Sequence, residues 1–126
     1  MPLQVQPSAF AKRAINRSGG TLLQGHAVVQ HADGDECVRY ATAAEGFDGV
    51  LEYDLLDGEV GTMLTGGVVP IAGDAAGRAG VGLAIGADGI FTATAATNYV
   101  AAVVDKAATA AGITNALIYP GRKLAT

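Results

Sequence analysis

The sequence predicts a mainly β fold: a small barrel or sandwich built from two related halves, with little helix. Three observations carry this. First, residues 25–34 read GHAVVQHADG and residues 80–89 read GVGLAIGADG, a near repeat at an offset of 55. Two copies of one supersecondary unit are too few for a solenoid, so each is expected to bury its apolar face against the other. Second, the apolar runs are only a few residues long and recur about every ten residues, the spacing of an all-β sandwich or barrel. Third, Asp-Gly and Gly-Gly pairs punctuate them, and glycine accepts the positive φ that tight turns require. Gly makes up 18 of the 126 residues, against a usual share of about 7%, so turns rather than helices set the plan.

The strands follow in order. Residues 1–9 (MPLQVQPSA) hold two prolines and no period, and read as an extended arm. Phe10 to Asn16 is a first strand, closed by the turn Ser18-Gly19-Gly20. Thr21 to Gln30, broken by Gly25, has Ala27-Val28-Val29 as its core. Asp33-Gly34 is a hairpin signal, and Glu36 to Ala41 alternates like a half-exposed strand. Val50 to Tyr53 follows Asp48-Gly49, and Val60 to Leu64 follows Asp57-Gly58. Val68 to Ile71 contains Pro70, which confines it to an edge or a strand end. After a Gly/Ala loop at 73–80, Leu83 to Ile85 and Ile90 to Ala95 flank Asp88-Gly89. Tyr99 to Asp105 is read as a strand because of the repeat, although residues 99–111 also suit a helix: 106–111 are helix formers ahead of Gly112. Ile113 to Tyr119 is the last strand, stopped by Pro120-Gly121. A four-residue slip lays Val50 to Asp54 over Ala101 to Asp105. An offset of 54 lays Met63 and Leu64 over Leu117 and Ile118. The expected core is Val28, Val50, Leu64, Leu83, Val103 and Ile118.

The length fits one domain. No apolar run is long enough for a membrane helix, no hydrophobic segment of a signal peptide stands at the N-terminus, and the single Cys37 excludes an internal disulfide. Net charge is −4 but unevenly spread: residues 1–32 carry +3 (Lys12, Arg13, Arg17), residues 33–88 carry −9 and residues 89–126 carry +2. An acidic body argues against direct nucleic-acid binding, since phosphates need a basic face. Asn16-Arg17-Ser18 matches a glycosylation sequon, here read as chance.

Catalytic and metal chemistry find little footing. His26 and His31 stand five apart, which in a strand puts them on opposite faces, and Cys37 is the one soft ligand nearby; both histidines read as surface or rim groups, with no metal bound. Asp33, Asp35 and Glu36 lack the ligand ladder of a calcium loop. Glu52, Asp54, Asp57 and Glu59 cluster near strand ends, where carboxylates normally meet water rather than forming an acid/base pair. There is no GxSxG, Walker or dinucleotide motif. No catalytic residue, cofactor or small-molecule substrate is assigned.

The order of segments nonetheless resembles a family. GTLLQGHAV at 20–28 is followed by DGVL at 48–51 and GEVGTMLTGGVVP at 58–70. AGVGL at 79–83, GADG at 86–89 and AAGITNALIYPG at 110–121 complete the series. This is similar to the small decoration, or cement, proteins on the outside of tailed-phage heads, over roughly residues 15–122. The resemblance implies a partly open barrel, a β-tulip, assembled as a homotrimer. It implies a place on the outer surface of the virion after synthesis in the host cytoplasm, with the major capsid protein as partner. The expected organisation is a capsid-docking arm at 1–14, mobile in the free protein, and a single β domain at 15–126. Capsid contacts are expected from Gln4, Val5 and Gln6, adding a strand to a capsid sheet edge, and from Lys12, Arg13 and Arg17. The competing readings are a small barrel enzyme or ligand binder, and a tail or fibre component.

Overall fold

A computed structural model describes residues 11–30, 36–42, 46–73, 82–93, 100–105 and 113–121. Ten strands form two sheets. The first half holds β1 (Ala11–Asn16), β2 (Ala27–Gln30), β3 (Cys37–Tyr40), β4 (Gly49–Leu51) and β5 (Val60–Leu64). They form a closed barrel in the order β1-β3-β2-β4-β5. The second half holds β6 (Val68–Ala72), β7 (Gly82–Ile85), β8 (Phe91–Ala93), β9 (Ala102–Val104) and β10 (Ile113–Ile118). They form a sheet in the order β6-β10-β9-β7-β8. The only helical element among the described residues is a 3-10 turn at Ala87–Gly89, between β7 and β8.

The two orders are one topology. Reading β6 to β10 as β1 to β5, every neighbour relation is repeated, down to the ladder partners. Ala27 faces Val50, Val50 faces Leu64 and Leu64 faces Ala11. Gly82 faces Val103, Val103 faces Leu117 and Leu117 faces Val68. The parallel seam repeats as well, with Asn16 opposite Val38 in one half and Gly73 opposite Phe91 in the other. The halves differ there in degree. β1 and β3 pair at two positions, whereas among the described residues β6 and β8 touch at a single bridge, which leaves the second barrel half open there.

These ladders correct the repeat read from sequence. Its offset of 55 is right for β2 and β7, where Ala27 matches Gly82, but the later strands match at 53. Val50 therefore corresponds to Val103 rather than Ala101. Met63 corresponds to Ala116, and Leu64 to Leu117. A slip of one residue exchanges the two faces of a strand, so the sequence-level match of Leu64 with Ile118 set an outward position against an inward one.

With the register fixed, the core reads as two matched sets. Inside the first barrel lie Ala14, Val28, Val38, Leu51 and Met63. Their counterparts Ile71, Leu83, Phe91, Val104 and Ala116 fill the second. Size is traded between neighbouring strands. Ala14 of β1 stands beside β5 with its Met63, whereas Ile71 of β6 stands beside β10 with its Ala116. Cores tolerate such changes when the total volume is kept. Leu22 and Leu55, joined by an isolated bridge, close the far end of the first barrel. Of the expected core, Val28, Val50, Leu83 and Ile118 are buried, while Leu64 and Val103 are only half-buried. Both lie on outward faces, which alternation along a strand separates from the lumen.

The strand expected at Phe10 to Asn16 is present from Ala11, and this corrects the arm. Ala11 to Ile15 pair with β5, and Ala14 is fully buried, so residues 11–14 belong to the barrel. The rest of the arm, including Gln4, Val5 and Gln6, lies outside the described residues, as do His31, Asp33-Gly34 and residues 106–111. Where described, residues 102–104 of the ambiguous 99–111 segment are strand. The faces predict unequal costs of truncation. Leu83→Ala should destabilise by roughly 2–4 kcal/mol, since it opens a cavity in the lumen. Val103→Ala, on the outward face of the neighbouring strand, should cost under about 1 kcal/mol. Urea unfolding of the two variants checks the difference.

Candidate interaction surface

The basic side chains of the sequence do not form one patch. Lys12 shares the inward side of β1 with Ala14, but at the strand's open end, so its ammonium is exposed at the mouth of the first barrel. Arg13 points to the opposite face, where its guanidinium lies 3.9 Å from the Glu36 carboxylate; both are well exposed, so the pair contributes little. Arg17 lies beyond the other end of β1, on the order of 15 Å from Lys12 at strand rise. The three charges expected to act together are thus spread along one edge of the barrel.

Four of the described acidic residues fasten backbone N–H groups. Asp54 accepts the Gln24 amide at 2.7 Å, Asp57 the Gly19 amide at 3.0 Å, and Glu59 the Leu56 amide at 2.9 Å. Asp48 accepts the Gln30 amide at 2.7 Å. The carboxylates that sequence reading weighed as an acid/base pair are largely turn locks, each holding one backbone N–H. Among the described residues no group of three or more His, Cys, Asp or Glu side chains converges as a metal site would require.

Asn16 is the polar group that sequence reading missed. It is fully buried, and its amide is used from both ends. Nδ2 donates to the Gly20 and Leu55 carbonyls at 2.7 and 2.8 Å, while Oδ1 accepts from the Ser18 amide and hydroxyl at 2.9 and 2.7 Å. A buried amide satisfied in this way is costly to disturb, and it offers no free nitrogen to a glycan.

His26 is buried rather than on the surface, and it sits where the halves meet. Its Nδ1 lies 2.7 Å from the Asp88 carbonyl oxygen. A carbonyl only accepts, so Nδ1 carries the proton. The ring leans on Tyr40 at 4.9 Å between centroids. Burial pushes the Tyr40 phenol above its usual range, against the lowering effect of the Leu23 N–H that donates to it; Asp88 and Asp54 push it further up. Around these two rings Leu23, Gln24, Asp54, Ala72 and Ile90 line a shallow groove between the halves.

The junction itself is built from backbone and small residues. The Ala72 N–H donates to the Gly25 carbonyl at 2.8 Å, and the Gly121 N–H to the Phe47 carbonyl at 2.6 Å. Gly25 has φ +80°, and a Cβ there would meet the Ala72 nitrogen at 2.6 Å. Gly89, with φ +70°, lies so close to the Ala27 backbone that no side chain fits. The outward face of β2 and β4 (Ala27, Val29 and Val50), together with Ala41 and Phe47, joins the core of the second half. Phe47 packs edge-to-face on Phe91, centroids 5.6 Å apart, a favoured aromatic geometry. The first barrel's outer wall thereby completes the half-open second one.

No protein-family model and no curated protein sequence matches the chain. Its fold is found in a solved structure, the N base of the head fiber gp8.5 of bacteriophage phi29. The similarity has a TM-score of 0.69 at 15% identity and covers 92% of this chain and 98% of that one. A small, mainly β two-barrel fold is thus shared over nearly the full length of both.

The raised phenol of Tyr40 gives a pH test. A raised folded-state value favours the protonated ring, so its contribution is fully present below the unfolded value of about 10 and lost as pH rises through the folded one. Tyr40→Phe should flatten the alkaline fall of the urea midpoint above about pH 10 relative to the parent protein. An unchanged slope would show that the ring is not desolvated.

Proposed function

We propose that the chain is a structural protein of a tailed-phage virion, binding the outside of the head as a homotrimer and holding neighbouring major capsid proteins together. The observation that carries this reading is the full-length fold similarity to a head fiber base, read with the segment order that resembles head decoration proteins. The character of the surface supports it. Four of the described carboxylates each hold one backbone N–H, no three of them converge among the described residues, and Lys12, Arg13 and Arg17 are spread along β1 and the residue after it. Such a surface suits broad protein contact better than turnover of a small substrate. An acidic body also limits adhesion to DNA and other polyanions.

In this reading residues 1–10 form the docking arm, with Gln4, Val5 and Gln6 adding a strand to a capsid sheet edge. Arg13, near the start of β1, and Arg17 supply charge for acidic capsid groups. Three arms on one trimer raise avidity beyond the strength of a single arm. A head-fibre base is the second reading, favoured by the same structural neighbour. Electron microscopy of decorated capsids separates a flush trimer from a projecting fibre.

The arm is tested by deleting residues 2–9, which spares β1. The shortened protein should keep its far-ultraviolet spectrum and its mass in solution, and lose most binding to expanded capsids in a sedimentation assay. Arg13→Glu/Arg17→Glu should weaken binding most at low salt, because exposed charges are screened within about 10 Å at 0.1 M. Undiminished decoration by the shortened protein would move the contact from the arm to the barrel.

A further inference from the structure

We propose that the outward row Val68–Leu117–Val103 of the second half seats on the open mouth of the first barrel of another copy. This would repeat between chains the junction that joins the two halves within one. The inference deepens the trimer of the preceding reading by naming its contact, and rests on that trimer only for the number of copies.

The argument follows the register. Within the chain, the row Ala11–Leu64–Val50–Ala27 runs across the outer face of the first barrel. Val50 and Ala27 are fully buried there, and Leu64 packs against the second half's core. The same ladder positions in the second half are Val68, Leu117, Val103 and Gly82. Val68 is 52% exposed and Leu117 38%, with Val103 half-buried between Leu117 and Gly82. An apolar row that is covered in one half is therefore left open in the other.

The surface that covers it has a counterpart too. In the second half it is the open end of the barrel, lined by Val69, Ile85, Phe91 and Ala101 and brought against the first half by the 3-10 turn. The equivalent positions of the first half are Lys12, Gln30, Val38 and Asp48, and these line an open groove of about 380 Å³ at the barrel mouth. Each chain thus uses one socket and one face internally and presents the other of each. Two different complementary surfaces on one molecule make a heterologous contact, which closes into a ring when the rotation permits.

The second junction is more polar than the first, with Lys12, Arg13, Glu36 and Asp48 all lining the mouth. Lys12 replaces Val69 at the mouth, and its ammonium has no partner among the described residues. On the outward row the exposed Asp105 follows β9 beside Val103, on the same face as the exposed Asn115 of β10. Arg13 lies beside Glu36 and Asp48 accepts the Gln30 N–H, so Lys12 is the charge left to meet Asp105, which fixes the direction of docking better than it adds affinity.

The test uses full-length variants measured by light scattering at tens of micromolar, each checked by circular dichroism. The parent protein and the control Leu56→Glu, exposed on the first half away from the row, should both be trimers. Val68→Glu/Leu117→Glu alters the row, and Lys12→Glu/Gln30→Glu alters the mouth; each should be a folded monomer. Val68→Ser/Leu117→Ser stands in if the acidic pair unfolds the protein. Because each altered protein keeps one intact surface, mixing the row and mouth variants should give a one-to-one dimer. A folded row variant that remains trimeric, a parent protein that is monomeric, or a mixture that stays monomeric would overturn the contact. Failure of a trimeric protein to decorate capsids would overturn the capsid reading and leave the contact standing.

Discussion

Among the described residues the second half does not close on itself as the first does, and the rest of the molecule is arranged around that constraint. Its parallel seam is a single bridge between Gly73 and Phe91, where the first half has the paired Ile15 and Asn16 against Cys37 and Val38. A half-open barrel exposes lumen residues such as Phe91 and Ile85 unless something covers them. The outer wall of the first barrel does so, through Val29, Val50 and Phe47. This explains the glycines at the junction. Gly25 and Gly89 stand where the backbones of the two halves approach too closely for a Cβ. It also explains why the apolar residues of β2 and β4 run without alternation: one set fills their own lumen and the other roofs the neighbour.

Duplication kept the geometry and released the side chains. The ladders of the two halves correspond pair for pair, yet Ala14 answers to Ile71, Val38 to Phe91 and Met63 to Ala116. The lumen constrains summed volume more than identity, so each barrel found its own filling. At the mouth no such constraint acts on the first barrel within one chain. There Lys12 and Gln30 occupy the positions of Val69 and Ile85, nearby Asp48 accepts the Gln30 N–H, and Glu36 lies beside Arg13. The halves have thus diverged most where one is buried by the other and the other faces outward.

Most of the fold was legible because its signals are local. Nine of the ten strands fall within or nearly within the apolar runs bounded by Asp-Gly, Gly-Gly and Pro-Gly pairs, and the first, from Ala11, lies inside Phe10 to Asn16. What failed to read was register and the far side of each strand. Nothing local tells that β4 matches β9 at 53 rather than 51, and so Leu64 and Val103 read as core although they face outward and are half-buried. The boundary of the arm failed for a related reason. Lys12 and Arg13 look like solvent-facing arm residues, although the strand that carries them is held by β5, a partner some fifty positions away in sequence. Asn16 was invisible as a structural residue because its four partners are set by the turn after β1 and by Leu55. His26 gave no sign of burial because the Asp88 carbonyl it meets belongs to the other half.

The central claim is that the two barrels form one cooperative body in which the second depends on the first for its core. Native-state hydrogen exchange tests it most directly, by comparing the Ala72 amide, which bridges to Gly25 across the junction, with ladder amides inside each barrel. The account predicts that the Ala72 amide and the amides of β9 and β10 all exchange only through global unfolding, with the same free energy and the same denaturant dependence as those of β2. Exchange of the Ala72 amide through a cheaper opening that leaves β9 and β10 protected would show that the second barrel stands without the first, and would contradict it.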